Sequence, residues 1–305
     1  MRPALILTFV LLAAAPAPAQ ELGMTIPDCR TLFKTTGFLK RAPDSTIETI
    51  DQGCRFSGTI IDFGPYTRFS VEDITLTGPD LMASLAQGQR PTSIDLAMKG
   101  MRLSPEMEHS PLTAYILEMQ QEPYDIHLAM SWNDTDGILE IADASFSTHR
   151  LGRVALSGRL TGLTAVPLEV GNIEAFEGAE FESLTIDFDN SGLFTAYIAP
   201  MFVGTLPYDQ DPRPAIAAGQ QAIISTIAAM PEAQLSAETK AVLTQFVTDF
   251  PRPSGHYILD ITALDEPVPF TSVEDFDGLD DLAGLLSRLN VTASFSDPEG
   301  LRSAK

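Results

Sequence analysis

Tyr124-Asp125-Ile126-His127-Leu128-Ala129-Met130-Ser131-Trp132 carries a large apolar residue at every second position, with Asp125, His127 and Ser131 between them. That period of two belongs to a β-strand with one face in the core and the other toward water. Asn133-Asp134-Thr135-Asp136-Gly137 follows as a run of turn formers, and Leu139 to Phe146 leads back, which predicts a hairpin. Outward toward the C-terminus, Val154, Leu156 and Leu160 mark a further strand, and Leu184, Ile186 and Phe188 another. Toward the N-terminus, Phe56, Gly58 and Ile60 alternate with Arg55, Ser57 and Thr59, and Phe69 to Leu76 reads as the next strand. Closely spaced strands joined by polar turns predict an antiparallel sheet.

Helical signals punctuate the strands. A helix is expected near Thr31 to Leu39. Another is expected after Ser110-Pro111, with Leu112, Tyr115, Ile116 and Met119 on one face. Thr113-Ala114-Tyr115-Ile116 recurs as Thr195-Ala196-Tyr197-Ile198, and both tyrosines are expected to pack. Asp211-Pro212 opens a helix bearing Ile216, Ile223, Ile224, Ile227 and Met230. Ser236 caps a second, with Val242, Leu243, Phe246, Val247 and Phe250 aligned, and Pro251 and Pro253 end it. The two read as a helical hairpin joined by a short link containing Pro231. Tyr257, Leu259 and Ile261 return to strand, Ser272 and Asp275 start a last helix, and Val291, Ala293 and Phe295 form a last strand. The fold class expected is α+β: an antiparallel, curved β-sheet with packed helices, including a helical hairpin near 211–250 in the C-terminal third. Residues 20–305 are expected to form a single domain of this kind.

The chain starts with Arg2, an apolar run from Ala4 to Ala15, and Ala17-Pro18-Ala19 before Gln20. This is the pattern of a signal peptide over residues 1–19, too short to span a bilayer, and it predicts a periplasmic or secreted protein without a transmembrane segment after cleavage. In an oxidising compartment Cys29 and Cys54 are expected to form one structural disulfide. Their long spacing argues against redox chemistry, which prefers a close C-x-x-C pair. A formal net charge of −22 argues against nucleic acid and anionic lipid as partners. The clustered bases Lys34, Lys40 and Arg41 are too few to line a groove.

Catalytic signatures are absent. There is no G-x-S-x-G elbow, no H-E-x-x-H zinc motif and no phosphate-binding glycine loop. His109, His127, His149 and His256 show no metal-ligand spacing, and His127 and His149 read as surface residues. The EF-hand template fails at each candidate glycine: Gly137 puts Trp132 at position one, Gly192 puts Ile198 at position twelve, and Gly278 puts Val273 at position one. Asp187 and Asp189 share a strand face, which leaves a calcium site of another kind as an alternative. No catalytic residue, cofactor or metal ligand is assigned.

The run Leu184-Thr185-Ile186-Asp187-Phe188-Asp189-Asn190-Ser191-Gly192-Leu193, the Ala-rich helical hairpin, the strand Tyr257 to Leu264 and Glu266-Pro267-Val268-Pro269 resemble YdgA-like and AsmA-like exported envelope proteins of Gram-negative bacteria. The resemblance spans roughly residues 71–295 and carries no catalytic signature. It implies an envelope role and an apolar groove on the concave side of a curved sheet. Those relatives often keep an N-terminal membrane anchor, where cleavage is expected here. The expected function is that of an exported, non-enzymatic periplasmic protein that binds a lipid, another hydrophobic ligand or an envelope protein. The alternative is a secreted hydrolase with a dispersed active site.

Overall fold

The computed structural model describes residues 26–64, 68–104, 122–133, 135–163, 178–207, 209, 211–269, 284 and 286–297. The leader at 1–19, the helix after Ser110, the first copy of the tetrapeptide at 113–116, His109, Asp134, the start of the helix at Ser272 and the tail beyond Asp297 lie outside them. The described chain falls into two compact units, an N-terminal one through His149 and a C-terminal one from Arg150 to Gly162 and again from Gly178.

The expectation of an α+β fold with helices packed across a sheet is corrected. Eleven antiparallel strands hold 47% of the described residues and helices 25%, so the architecture is mostly β. Two strands account for much of the difference. β1 (Leu39–Ile50) contains Pro43 and a mostly polar sequence, and β4 (Ser93–Leu103) is rich in Leu, Met, Ala and Lys, which favour helix. Pairing to neighbouring strands overrides both local preferences.

In the N-terminal unit, α1 (Cys29–Thr35) precedes β1, β2 (Gly53–Asp62) and β3 (Arg68–Thr77). Then come α2 (Leu81–Ala86), β4, β5 (Tyr124–Asn133) and β6 (Ile138–Thr148), with the strands hydrogen-bonded in sequence order. The β5–β6 turn forms as its residues require. Gly137 has φ +65°, Asn133 Nδ2 donates to Asp136 Oδ2 at 2.6 Å, and Thr135 N donates to Asn133 Oδ1 at 3.1 Å. Leu128 and Met130 are buried, as the alternation requires.

β2 breaks its own alternation. Phe56 is buried, but the next buried side chains are Thr59 and Ile61 rather than Ile60. Gly58 sits between them at φ +60°, a left-handed conformation that turns the pleat over by one residue. Opposite it, β1 leaves the ladder for four residues, 42–45, before pairing resumes at Thr46. Gly100 in β4, at φ +64°, makes the same change between buried Met98 and Met101.

The apolar face of this sheet meets α1. Asp28 Oδ1 caps the helix by accepting from Thr31 N at 2.7 Å, and Leu32 and Phe33 are buried, Phe33 against Phe56 with ring centroids 5.6 Å apart. Cys29 and Cys54 are bridged, with Cα atoms 5.6 Å apart, and this fixes α1 to β2. The staple expected from sequence is therefore present.

The C-terminal unit contains β7 (Gly152–Thr161), β8 (Glu180–Asn190), β9 (Gly255–Ala263) and β11 (Leu289–Ser296) paired in that order, with β10 (Val268–Pro269) on β8. A π-helical turn (Phe194–Ile198) and α3 (Ala199–Val203) follow β8. α4 (Pro212–Ala229) and α5 (Ala237–Thr248) lie between them and β9. Asp211 and Ser236 cap these two helices through their side-chain oxygens. Gln220 Nε2 donates to Val247 O at 2.8 Å and Lys240 Nζ to Met230 O, joining α4 to α5. Thr239 Oγ1 accepts from Ala293 N at 3.3 Å, which ties α5 to β11.

The core here joins Met230, Leu235, Val268, Leu289 and Val291. Beside it runs a chain of rings. Phe194 meets Phe246 edge-on at 5.3 Å, Phe246 meets Tyr257 at 5.1 Å, and Tyr257 meets Phe295 at 4.8 Å. Such contacts add about 0.5–1.5 kcal/mol each beyond area burial.

Candidate functional site

Two regions carry chemistry that the packing of the core does not explain, one in each unit. The first is on the polar face of β4, β5 and β6. His127 Nδ1 lies 2.5 Å from Asp143 Oδ2 and its Nε2 lies 3.2 Å from Asp95 Oδ1. Burial disfavours a charged ring, but the Asp143 hydrogen bond and the nearby Asp95 charge outweigh it and hold His127 above its ordinary pKa. Ser145 Oγ donates to Asp143 Oδ2 at 3.1 Å, so serine, aspartate and histidine meet in one place. The connectivity is not that of a nucleophilic relay. A relay needs the hydroxyl on a ring nitrogen, and both nitrogens of His127 are occupied by carboxylates. Further along this face Arg55 Nε pairs with Asp73 Oδ2 at 2.6 Å. Ion pairs this exposed contribute little to stability.

The second region follows β8. Asn190 is buried; its Oδ1 accepts from Gly192 N at 3.2 Å and Phe194 N at 3.0 Å, and its Nδ2 donates to Pro253 O. These bonds and the buried ring of Phe194 anchor the start of the segment 191–207. That segment, Ser-Gly-Leu-Phe-Thr-Ala-Tyr-Ile-Ala-Pro-Met-Phe-Val-Gly-Thr-Leu-Pro, contains no charged residue. In a chain whose charged fraction is 20%, about three would be expected over such a length. Tyr197, Met201 and Phe202 are 38%, 36% and 47% exposed, Tyr197 and Met201 at the i, i+4 spacing of helical neighbours and Phe202 next to Met201. Tyr197, expected to pack, keeps more than a third of its surface exposed.

The sequence candidates distribute as follows. Cys29 and Cys54 form the staple and belong to the core. Asp187 accepts from His256 Nε2 at 2.8 Å, so Asp187 and Asp189 do not present two open carboxylates to a cation. Among the described residues no group of three His, Cys, Asp or Glu side chains is placed to hold a metal ion. No helix among them is long and apolar enough to cross a membrane. Asp95, Asp143 and Asn190 are the site residues that sequence reading missed. Asp143 and Asp95 meet His127 across 16 and 32 residues, and Asn190 meets Pro253 across 63, contacts that no local spacing signals. The missing charge over 191–207 is visible in sequence, but apolar residues there read equally well as core.

No family model matches the chain, and no curated protein matches it.

Proposed function

We propose that this is an exported periplasmic protein that works by binding, and that the uncharged exposed segment 191–207 is its contact surface for an apolar ligand of the lipid class. The observation that carries the reading is the exposure of Tyr197, Met201 and Phe202 on a segment without charge. Apolar side chains grouped on a surface mark interaction sites, and Tyr and Phe suit a boundary between water and acyl chains. The segment has no Lys or Arg to attract an anionic headgroup, and the chain as a whole is acidic, so the ligand is uncharged or zwitterionic. The leader-like start and the Cys29–Cys54 bridge support export. The envelope role implied by the resemblance to YdgA-like and AsmA-like proteins accords with it. The doubly occupied ring of His127 favours binding over the hydrolase alternative.

Native mass spectrometry of the mature protein from a periplasmic fraction tests this. A co-purifying adduct of lipid mass is expected, together with flotation of the protein on phosphatidylcholine vesicles. Phe202→Asp should reduce both at least tenfold without lowering Tm, since the side chain is half exposed. An adduct-free protein that ignores vesicles would sink the reading. So would a Phe202→Asp variant that binds as the parent does.

A further inference from the structure

A neutral imidazole has one N–H donor and one lone pair, whereas an ionised carboxylate only accepts. His127 has a carboxylate oxygen within hydrogen-bond reach of each ring nitrogen, Asp143 Oδ2 at Nδ1 and Asp95 Oδ1 at Nε2. A neutral ring would donate to one of them and turn its lone pair on the other. The imidazolium form donates to both. We propose that His127 is a proton-operated latch across β4, β5 and β6, closed on both carboxylates when the ring is charged and released from one of them when it is neutral.

The register shows how the latch is built. Asp95 on β4 and Asp143 on β6 are both partners of Ala129, one from each side, and His127 lies two residues away on the same strand face. The small Ala129 side chain leaves the space between the two carboxylates open to the ring. Asp143 reaches this face through a bulge. Leu139 and Ile141 pair with Trp132 and Met130 on the apolar side, and simple alternation would send Asp143 there too. Ala142 is an extra residue without a ladder partner, so Ala144 is buried instead and Asp143 emerges on the polar side. A core-facing carboxylate is thereby re-aimed at a histidine.

Other charged groups on this face are Lys99 of β4, Asp125 of β5 and Glu140 of β6, with Asp73 on neighbouring β3. Asp125 Oδ1 accepts from Gly100 N at 2.8 Å, and Asp73 is held by Arg55. Asp95 and Asp143 are the two that contact the ring. Because the folded protein raises the pKa of His127, the stabilisation is complete below the unfolded value of about 6.5 and disappears as pH rises through the folded value. The latch therefore tightens as pH falls from neutral, for as long as Asp95 and Asp143 stay ionised.

Ring nitrogen shifts of His127 followed by NMR against pH test the proposal directly. In the parent protein both nitrogens should be protonated below the midpoint, and Asp95→Asn, an exposed change, should lower that midpoint. A midpoint unmoved by Asp95→Asn overturns the latch. His127→Gln provides a second reading. Its Tm should fall about 2 °C below the parent near about pH 5.5 and match it near about pH 9. A gap of equal size at both values would show that the side chain matters for packing alone, and the proposal would fail.

Discussion

The two units hold helices to strands by different means. In the N-terminal unit, helices of seven and six residues accompany ten- to twelve-residue strands, and a covalent bond holds the longer helix in place. In the C-terminal unit, helices of eighteen and twelve residues are capped and joined to each other, and the second is held by a run of aromatic rings through Phe246, without a cross-link. A seven-residue helix is too short to persist by itself, because nucleation costs more than its few bonds return. The disulfide supplies what length and aromatic area supply elsewhere. The same task, keeping a helix against a strand, is met by chain entropy in one place and by contact area in the other.

The sharpest way to break this comparison is Phe194→Ala. It removes the ring that touches Phe188, Phe246 and Phe250, and should destabilise the C-terminal unit by about 4 kcal/mol. Urea unfolding followed by circular dichroism at the helix band would report it through α4 and α5. A loss below about 1 kcal/mol would mean that the rings are not what holds the helices.

Next in size is Cys29→Ser combined with Cys54→Ser. Opening a loop of this separation should cost about 3 kcal/mol. Trp132, the one tryptophan, lies on β5 and reports on the N-terminal unit by fluorescence. An unchanged urea midpoint would show that α1 is held by Leu32 and Phe33 without help.

The smallest effect sharpens the comparison rather than breaking it. Gly58→Ala meets no close atom, its new Cβ lying 3.5 Å from Ser45 Cα, so its cost is the left-handed backbone alone, about 1 kcal/mol. A larger loss would mean that the four-residue departure of β1 is sterically coupled to this glycine.

These elements also show what was legible beforehand. The β5–β6 hairpin could be read because its alternation is unbroken from Tyr124 to Trp132 and its turn has the residues that a tight reversal needs. β2 could be found but not faced correctly, since one positive φ at Gly58 reverses the side-chain alternation and hydropathy does not record φ. β4 was missed for the related reason that Gly100 interrupts the period, and β1 because Pro43 and its polar neighbours argue against a strand. The disulfide was legible from two cysteines and an export signal. The Asp95–His127–Asp143 group was not, because its assembly depends on a register across three strands and on the extra residue Ala142. The uncharged segment was visible as composition, while its exposure belongs to the tertiary structure.

One feature of β1 bears on behaviour in a crowded compartment. Its outer edge could serve as a template for the strand of another molecule, the route by which sheet proteins join into aggregates. The four residues that leave the ladder include Pro43, which has no N–H to offer, and Lys40 and Arg41 put two positive charges just before them. An incoming strand would find its register interrupted midway and would have to take the charged ends of Lys40 and Arg41 out of water. The irregularity that makes β1 hard to recognise as a strand thus helps keep neighbouring copies of the protein apart.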